Sequence, residues 1–307
     1  MFDGILPIYK ERGMTSHDVV FKARKILKMK KIGHSGTLDP EVDGVLLLLL
    51  GGATKVSDYA MDLGKSYRAE VCLGIKTTTE DLTGEILEER TVEGIDISEI
   101  KGILKTMVGE IEQTPPIYSA VKVNGRKLYE YARRGQFDVE IPSRKVNIYN
   151  IEFIDNSEYY KDGKFYFTID INCGKGTYVR TIATSIGEKL NIPSTMSKLT
   201  RTSSGKITIN HCLKLADVEK CLEENTLENK ILKKEYALEE YQFVEIPLFR
   251  AKQVMNGLRF RRNQFPDYDF SNEIVFTYNN EAIAIYYLKD KDDELLSVKT
   301  TFPKILE

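Results

Sequence analysis

The chain has 307 residues, with 44 Lys and Arg against 46 Asp and Glu and a formal net charge of -2. Its 42% hydrophobic and 29% charged content is that of a folded globular protein and excludes disorder over most of the length. The near-neutral balance gives no global sign of a nucleic-acid partner, so such a reading must rest on local clusters.

Thr15 and Asp18 have the spacing of a capping box, and Val19, Val20, Ala23, Ile26 and Leu27 follow at helical period, which predicts an amphipathic helix over 16–30. Its other face carries Lys22, Arg24, Lys25, Lys28, Lys30 and Lys31. A turn with two glycines follows, Gly33-His34-Ser35-Gly36-Thr37-Leu38-Asp39-Pro40, in which Pro40 biases Asp39 away from helical geometry. Val45 to Leu50 reads as a fully buried strand or the inner turns of a helix, because an unbroken apolar run has no period to choose between them. Tyr67, Ala69, Val71 and Leu73 alternate with polar residues as a strand.

Asp96 and Glu99 cap a second expected helix, whose stripe is Ile100, Ile103, Leu104, Met107 and Val108 and which ends at Gly109. Residues 112–144 hold Pro115-Pro116, Gly125, Gly135 and Pro142 among Lys122, Arg126, Lys127, Arg133 and Arg134, and so predict an inserted arm. A strand from Phe165 to Ile171 runs into the glycine-rich junction Cys173 to Arg180, and a helix is expected over 181–190. Acidic residues 217–240 predict a surface helix, with a boundary near Glu245. Beyond it, Ile274 to Phe276 and Ala282 to Leu288 read as short strands of a small β-rich unit. Strands and helices in mixed order argue for an α+β fold.

Several site readings fail on spacing. A nucleophile elbow around Ser35 fails because its second glycine, Gly36, comes one position early and Thr37 holds the required place, and His17, His34 and His211 with the four cysteines make no ligand-spaced pair. The cysteines therefore read as reduced structural thiols. Gly174-Lys175-Gly176 has neither a dinucleotide fingerprint nor the length of a P-loop, so no cofactor or metal is expected. No segment nears the ~20 apolar residues of a membrane span and no signal peptide leads the chain, so a cytoplasmic protein without membrane contact is expected. Asp39 remains: Arg180 could pair with it, hold its orientation and keep it ionised, which makes a competent nucleophile. Tyr67 and Tyr178 fall at the ends of predicted strands, where rings could stack on a base taken from its helix. The two basic clusters bracketing this site suggest a groove that follows phosphates.

The segment Gly33 to Pro40 with Gly44 and Gly51-Gly52-Ala53-Thr54-Lys55 resembles the catalytic signature of the TruB family, the tRNA pseudouridine-55 synthases. Lys10 with Gly13-Met14-Thr15-Ser16, Lys65-Ser66-Tyr67, Pro115 to Arg133, Cys173 to Ile182 and Lys198-Leu199-Thr200-Arg201 resemble further blocks of that family in order, over residues 4–206. The sequence departs from the pattern at Glu11 and at Thr77-Thr78-Thr79, positions expected to be peripheral to the chemistry.

The resemblance implies a pseudouridine synthase catalytic domain over 1–240, a mixed and largely antiparallel sheet flanked by helices, with a thumb at about 112–144. A PUA-like RNA-binding domain would occupy 245–307. It further implies Asp39 as nucleophile, Arg180 as its ion-pair partner, and Tyr67 stacking on the flipped uracil and assisting proton removal at C5. His34 would contact the T-loop, Tyr178 and Leu199 line the base pocket, Lys10 support the site, and Lys122, Arg126 and Lys127 of the thumb meet RNA backbone. The implied activity is conversion of uridine 55 in the T-arm of tRNA to pseudouridine by a monomer that needs no cofactor, metal or obligate protein partner. The alternative is a non-catalytic RNA-binding or tRNA-folding protein using the same surface.

Overall fold

The computed structural model describes residues 2–302. Strand β1 (Gly4–Lys10) leads to helix α1 (Ser16–Ile26), opened by the expected box: the Thr15 hydroxyl accepts from the Asp18 amide at 3.1 Å while the Asp18 carboxylate accepts from the Thr15 amide at 2.8 Å. The helix ends four residues earlier than expected. Leu27 caps it and Lys28 turns left-handed at φ 50°, which breaks the ladder before Lys30. Strands β2 (Ile32–Ser35) and β3 (Asp43–Leu50) follow and pair antiparallel. In β3, Leu46, Leu48 and Leu50 face a core shared with α1, while Val45, Leu47 and Leu49 face a second core on the opposite side of the sheet. Both faces are covered, which is why the run shows no alternation.

A 3-10 turn (Gly51–Val56) and α2 (Ser57–Asp62) lead into β4 (Lys65–Leu73), then the hairpin β5 (Ile75–Thr77) and β6 (Ile86–Glu89). Helix α3 (Ile97–Thr106) is capped by Asp96 alone, whose carboxylate accepts from the Ser98 amide; Glu99 lies in the first turn. It packs with α5 (Val179–Leu190) on the sheet formed by β4, β7 (Gly109–Gln113), β10 (Arg144–Phe153) and β12 (Lys164–Cys173). Between β7 and β10 the chain makes a small separate hairpin, β8 (Lys122–Val123) and β9 (Arg126–Lys127), and the short α4 (Leu128–Ala132). Strand β11 (Tyr159–Lys161) extends β12, and β13 (Ser194–Ser204) is followed by β14 (Ile207–Thr208).

The main sheet has ten strands in the order β1-β3-β13-β4-β12-β10-β7, with β2 beside β3, β11 beside β12 and β14 beside β13. Every pairing in it is antiparallel except β3 with β13, which run parallel through Thr200 opposite Asp43 and Arg201 opposite Gly44. Gly44 is obligatory there. It sits at φ 112°, and a Cβ would come within 2.1 Å of the Arg201 carbonyl oxygen. The single helix expected over 217–240 is instead α6 (Leu215–Glu223) followed by two 3-10 turns, after Asn225 adopts φ 56°.

A second, five-stranded sheet in the order β15-β17-β18-β19-β16 uses β15 (Gln242–Glu245), β16 (Phe260–Arg261), β17 (Ile274–Tyr278), β18 (Glu281–Tyr287) and β19 (Leu295–Thr301), with α7 (Leu248–Met255) packed on it. The fold is thus α+β, a mixed, largely antiparallel sheet flanked by helices plus a small β-rich PUA-like unit. Among the described residues no helix is long and apolar enough to cross a membrane.

Candidate active site

The loop between β2 and β3 is held by the N-terminal segment. The Lys10 ammonium, fully buried, donates to the carbonyls of Val42 (2.6 Å), Pro40 (3.2 Å) and Glu11 (3.0 Å). The Ser16 hydroxyl accepts from the Leu38 amide at 2.9 Å and donates to the Leu38 carbonyl at 3.2 Å, and the Gly13 amide donates to Pro40. These contacts fix the backbone on both sides of Asp39. Burial lowers the pKa of Lys10, opposed by the charges of Asp43 and Asp39.

Asp39 projects from this loop with 47% of its side chain exposed, and its Oδ2 lies 3.0 Å from Nη2 of Arg180, only 6% exposed. Arg180 is the second residue of α5. Its Nη1 donates to the Thr79 carbonyl and its Nη2 to the Tyr118 carbonyl, each at 2.9 Å. A guanidinium fixed by two carbonyls presents its remaining donor capacity to the carboxylate in one geometry. Thr79 thus touches the ion pair through its backbone and is not peripheral as expected.

Tyr178 precedes α5 as its N-cap and does not end a strand. Its amide donates to Gln113 Oε1 at 2.7 Å and its carbonyl accepts from Gln113 Nε2 at 3.0 Å, while the Arg144 guanidinium lies 4.9 Å from the ring centre. Tyr67, near the start of β4, stands directly opposite Arg201 of β13, and Leu199 stands opposite Ala69. Directly opposed residues share a face, so Tyr67, Leu199 and Arg201 look into one space. Burial raises the pKa of the Tyr67 hydroxyl, and the positive charge of Arg201 beside it works the other way.

Asp39, Tyr67, Tyr178, Arg180 and Leu199 together line one cleft of about 850 Å³, joined by Lys65, Arg144, Lys175 and Arg201 and by Ser119 to Val121 at the root of the arm. Lys10 holds the loop from beneath and His34 lies on β2 just before it; neither lines the cleft. The His34 ring meets His17 edge-on at 5.4 Å, and burial, aided by the charges of His17 and Arg201, lowers its pKa to about 4. Lys122, Arg126 and Lys127 lie on the β8–β9 hairpin outside the cleft, in no ion pair among the described residues; Lys127 and Arg133 share the Tyr129 ring at 5.5 and 5.2 Å. Ser35 is buried at the end of β2 with its hydroxyl unpartnered, not offered to a base.

Lys65 and Arg201 appear in the sequence reading only inside motif blocks, with no role given, and Arg144 and Lys175, which also line the cleft, have none there either. Lys65 and Arg201 each stand two residues along a strand from one that the reading used, Tyr67 and Leu199, and that spacing puts them on the same face. Gln113 had no such signal, since its partner Tyr178 is distant in sequence.

A family model described as "TruB family pseudouridylate synthase (N terminal domain)" matches residues 24–179. Two relatives named "tRNA pseudouridine synthase B", from Staphylococcus aureus strains MSSA476 and JH9, are each 48% identical to this chain over 307 residues, covering 98% of it and all of their own length. A solved structure described as "Structure of H/ACA RNP bound to a substrate RNA containing 2'-deoxyuridine" superposes with a TM-score of 0.71 at 22% identity, over 98% of this chain and 85% of the other. A second, "Crystal Structure of a Cbf5-Nop10-Gar1 Complex", gives 0.69 at 24% over the same shares.

Proposed function

Because this chain belongs to the TruB family of pseudouridylate synthases, we propose that its cleft receives the uridine of the T-arm of tRNA known as position 55 and that Asp39 acts on it as nucleophile. The chain isomerises uridine to pseudouridine in tRNA, as its relatives' names describe. The single observation that carries the role of Asp39 is its ion pair with a nearly buried Arg180 in a cleft that also holds Tyr67, Tyr178 and Leu199.

The reaction breaks the N-glycosidic bond, turns the uracil within the pocket and rejoins it through C5. The target must first leave its stack, at a cost of a few kcal/mol that contacts in the cleft offset. Tyr67 stacks on the flipped uracil and assists proton loss at C5, with Leu199 and Tyr178 as the other walls. Asp39 attacks C6 of the uracil or C1′ of the ribose, or acts through a glycal, and its fixed partner keeps it oriented in each case. His34, on β2 just before the loop, contacts the T-loop, and Lys10 holds the loop that carries Asp39. Lys122, Arg126 and Lys127 meet RNA phosphates from the thumb. We assign the catalytic domain to 1–240 and an RNA-binding PUA-like domain to 245–307, in a cytoplasmic monomer.

The test incubates T-arm RNA with the protein and with Asp39→Ala, measuring pseudouridine and binding separately. The wild type makes pseudouridine, and the variant binds RNA without making it. Product from both would remove Asp39 from the chemistry; binding by both with product from neither would favour a tRNA-folding role.

A further inference from the structure

We propose that Lys65 and Arg201 form an anion-stabilising floor that holds the negative charge appearing on the uracil ring during isomerisation. The inference rests on the isomerase reading above and adds two catalytic residues to it. Both cations are almost wholly buried, at 6% and 1% exposure, and both line the cleft with Asp39, Tyr67 and Leu199. Among the described residues no carboxylate comes within ion-pairing distance of either, although Asp62 nearby is paired to Lys175. A buried cation without a counter-ion is costly, so its retention in a reaction cleft calls for an anion that arrives later.

Their geometry leaves donors for that anion. Lys65 Nζ donates to the carbonyls of Met61 (2.6 Å) and Leu63 (2.5 Å), and an ammonium has three hydrogens. Arg201 donates from Nε to the Val45 carbonyl at 2.6 Å, from Nη2 to the Gly36 carbonyl at 3.2 Å and also to the Tyr67 hydroxyl, which leaves two of its five N–H donors. A Cβ built on Gly36 would lie 3.4 Å from Arg201 Nη1 and 3.5 Å from Lys65 Cε, so the two side chains converge over this glycine. Gly36, at φ 75°, keeps the space between them open. On the sheet, Arg201 stands opposite Tyr67 and Lys65 is two residues from it on the same strand, so the floor lies beside the stacking ring.

The chemistry supplies the anion. When the C1′–N1 bond breaks, its electron pair passes to the uracil and spreads onto O2 and O4. C1′ is then bonded to an Asp39 oxygen, or C2′ gives a proton to Asp39 that later returns. On rejoining, C5 bonds to C1′, the C5 proton leaves and N1 gains one, so the product is an isomer. Attack at C6 instead places the charge on O4. In every route the ring is anionic midway, and fixed donors in a dry site stabilise such charge strongly. A purely structural role would have Lys65 closing the last carbonyls of α2 and Arg201 bracing β3. A third reading has the pair binding a phosphate of the flipped nucleotide, but the surrounding Tyr67 and Leu199 suit a base.

Single-turnover consumption of the starting nucleoside by wild type and Lys65→Gln is compared on T-arm RNA carrying either uridine or 5-fluorouridine, whose fluorine makes the ring a more stable anion and leaves no C5 proton to lose, so that the steps up to the anion are read on both. Lys65→Gln slows uridine by about 10²-fold, the scale of a lost oxyanion donor, and slows 5-fluorouridine by several-fold less. Equal losses on both RNAs, with or without a change in the salt dependence of binding, overturn the proposal in favour of a structural or phosphate-binding role. Lys65→Arg guards against a folding defect. Burial and the charge of Arg201 hold Lys65 at about 8, opposed by Cys173 and Asp62, with Lys175 adding to the depression. Wild-type kcat/KM therefore falls as pH rises through about 8, and Lys65→Arg, always charged, lacks that fall. A fall at the same pH in Lys65→Arg overturns the assignment. Absence of pseudouridine from the wild-type reaction on uridine would instead fault the underlying isomerase reading.

Discussion

At the scale of single residues, the site is a carboxylate placed by cations. Arg180 aims Asp39, and Lys10 fixes the loop beneath it. The pairing of Asp39 with Arg180 could be anticipated because Asp39 sits in a glycine-rich turn and Arg180 just after the glycine-rich junction that opens α5. The clamp by Ser16, by contrast, is an ordinary helix-start serine until the fold sets Leu38 against it. His34 gives a residue-scale prediction. Burial lowers it from its ordinary 6.5 to about 4, so in the native state it stays neutral where the unfolded chain takes up a proton. Stability from this group is complete above 6.5 and is lost as pH falls from there toward about 4. Thermal melts from pH 7 to 4.5 should show the wild type losing more Tm than His34→Gln. Parallel losses in the two proteins would place the acid sensitivity elsewhere.

At the scale of elements, strand alternation and capping were legible and the covered elements were not. β4 and β12 announce themselves because one face of each is polar, whereas β3 carries apolar residues toward two cores and has no period. The end of α1 and the break after α6 turn on left-handed Lys28 and Asn225, residues whose backbone reversal a hydrophobic pattern does not record. The thumb is the element whose role is most directly measurable. Lys122, Arg126 and Lys127 have no carboxylate partners among the described residues, unlike Lys101, Lys145 and Lys198, which pair with Asp155, Glu110 and Glu70. Cations left free on an exposed hairpin are available to phosphates. Replacing all three with alanine should flatten the slope of log binding constant against log salt concentration by roughly 2, given about 0.7–0.9 per phosphate contact. An unchanged slope would mean that the thumb holds no phosphate.

At the scale of the whole molecule, the two sheets share a core. Val275, Ala282, Ile285 and Phe302 of the C-terminal part pack in one cluster with Ile5, Val45, Leu47 and Leu49 of the main sheet. Polar contacts rim that cluster: the Tyr59 hydroxyl and the Lys299 ammonium both bond Glu273, and Lys55 donates to the Thr301 carbonyl. A junction of this kind makes the parts cooperative, because separating them exposes Leu47 and Leu49, the strand that leads back to Gly44 and the cleft. The mechanical consequence is that a cavity in the C-terminal sheet should be felt at the active site. Ile285, fully buried in the shared core, is the position to test. Ile285→Ala should cost about 2–5 kcal/mol and move a single unfolding transition, with pseudouridine formation lost at the same lowered temperature as the C-terminal fold. Two separated transitions, with activity following only the upper one, would show that the catalytic sheet stands without its neighbour.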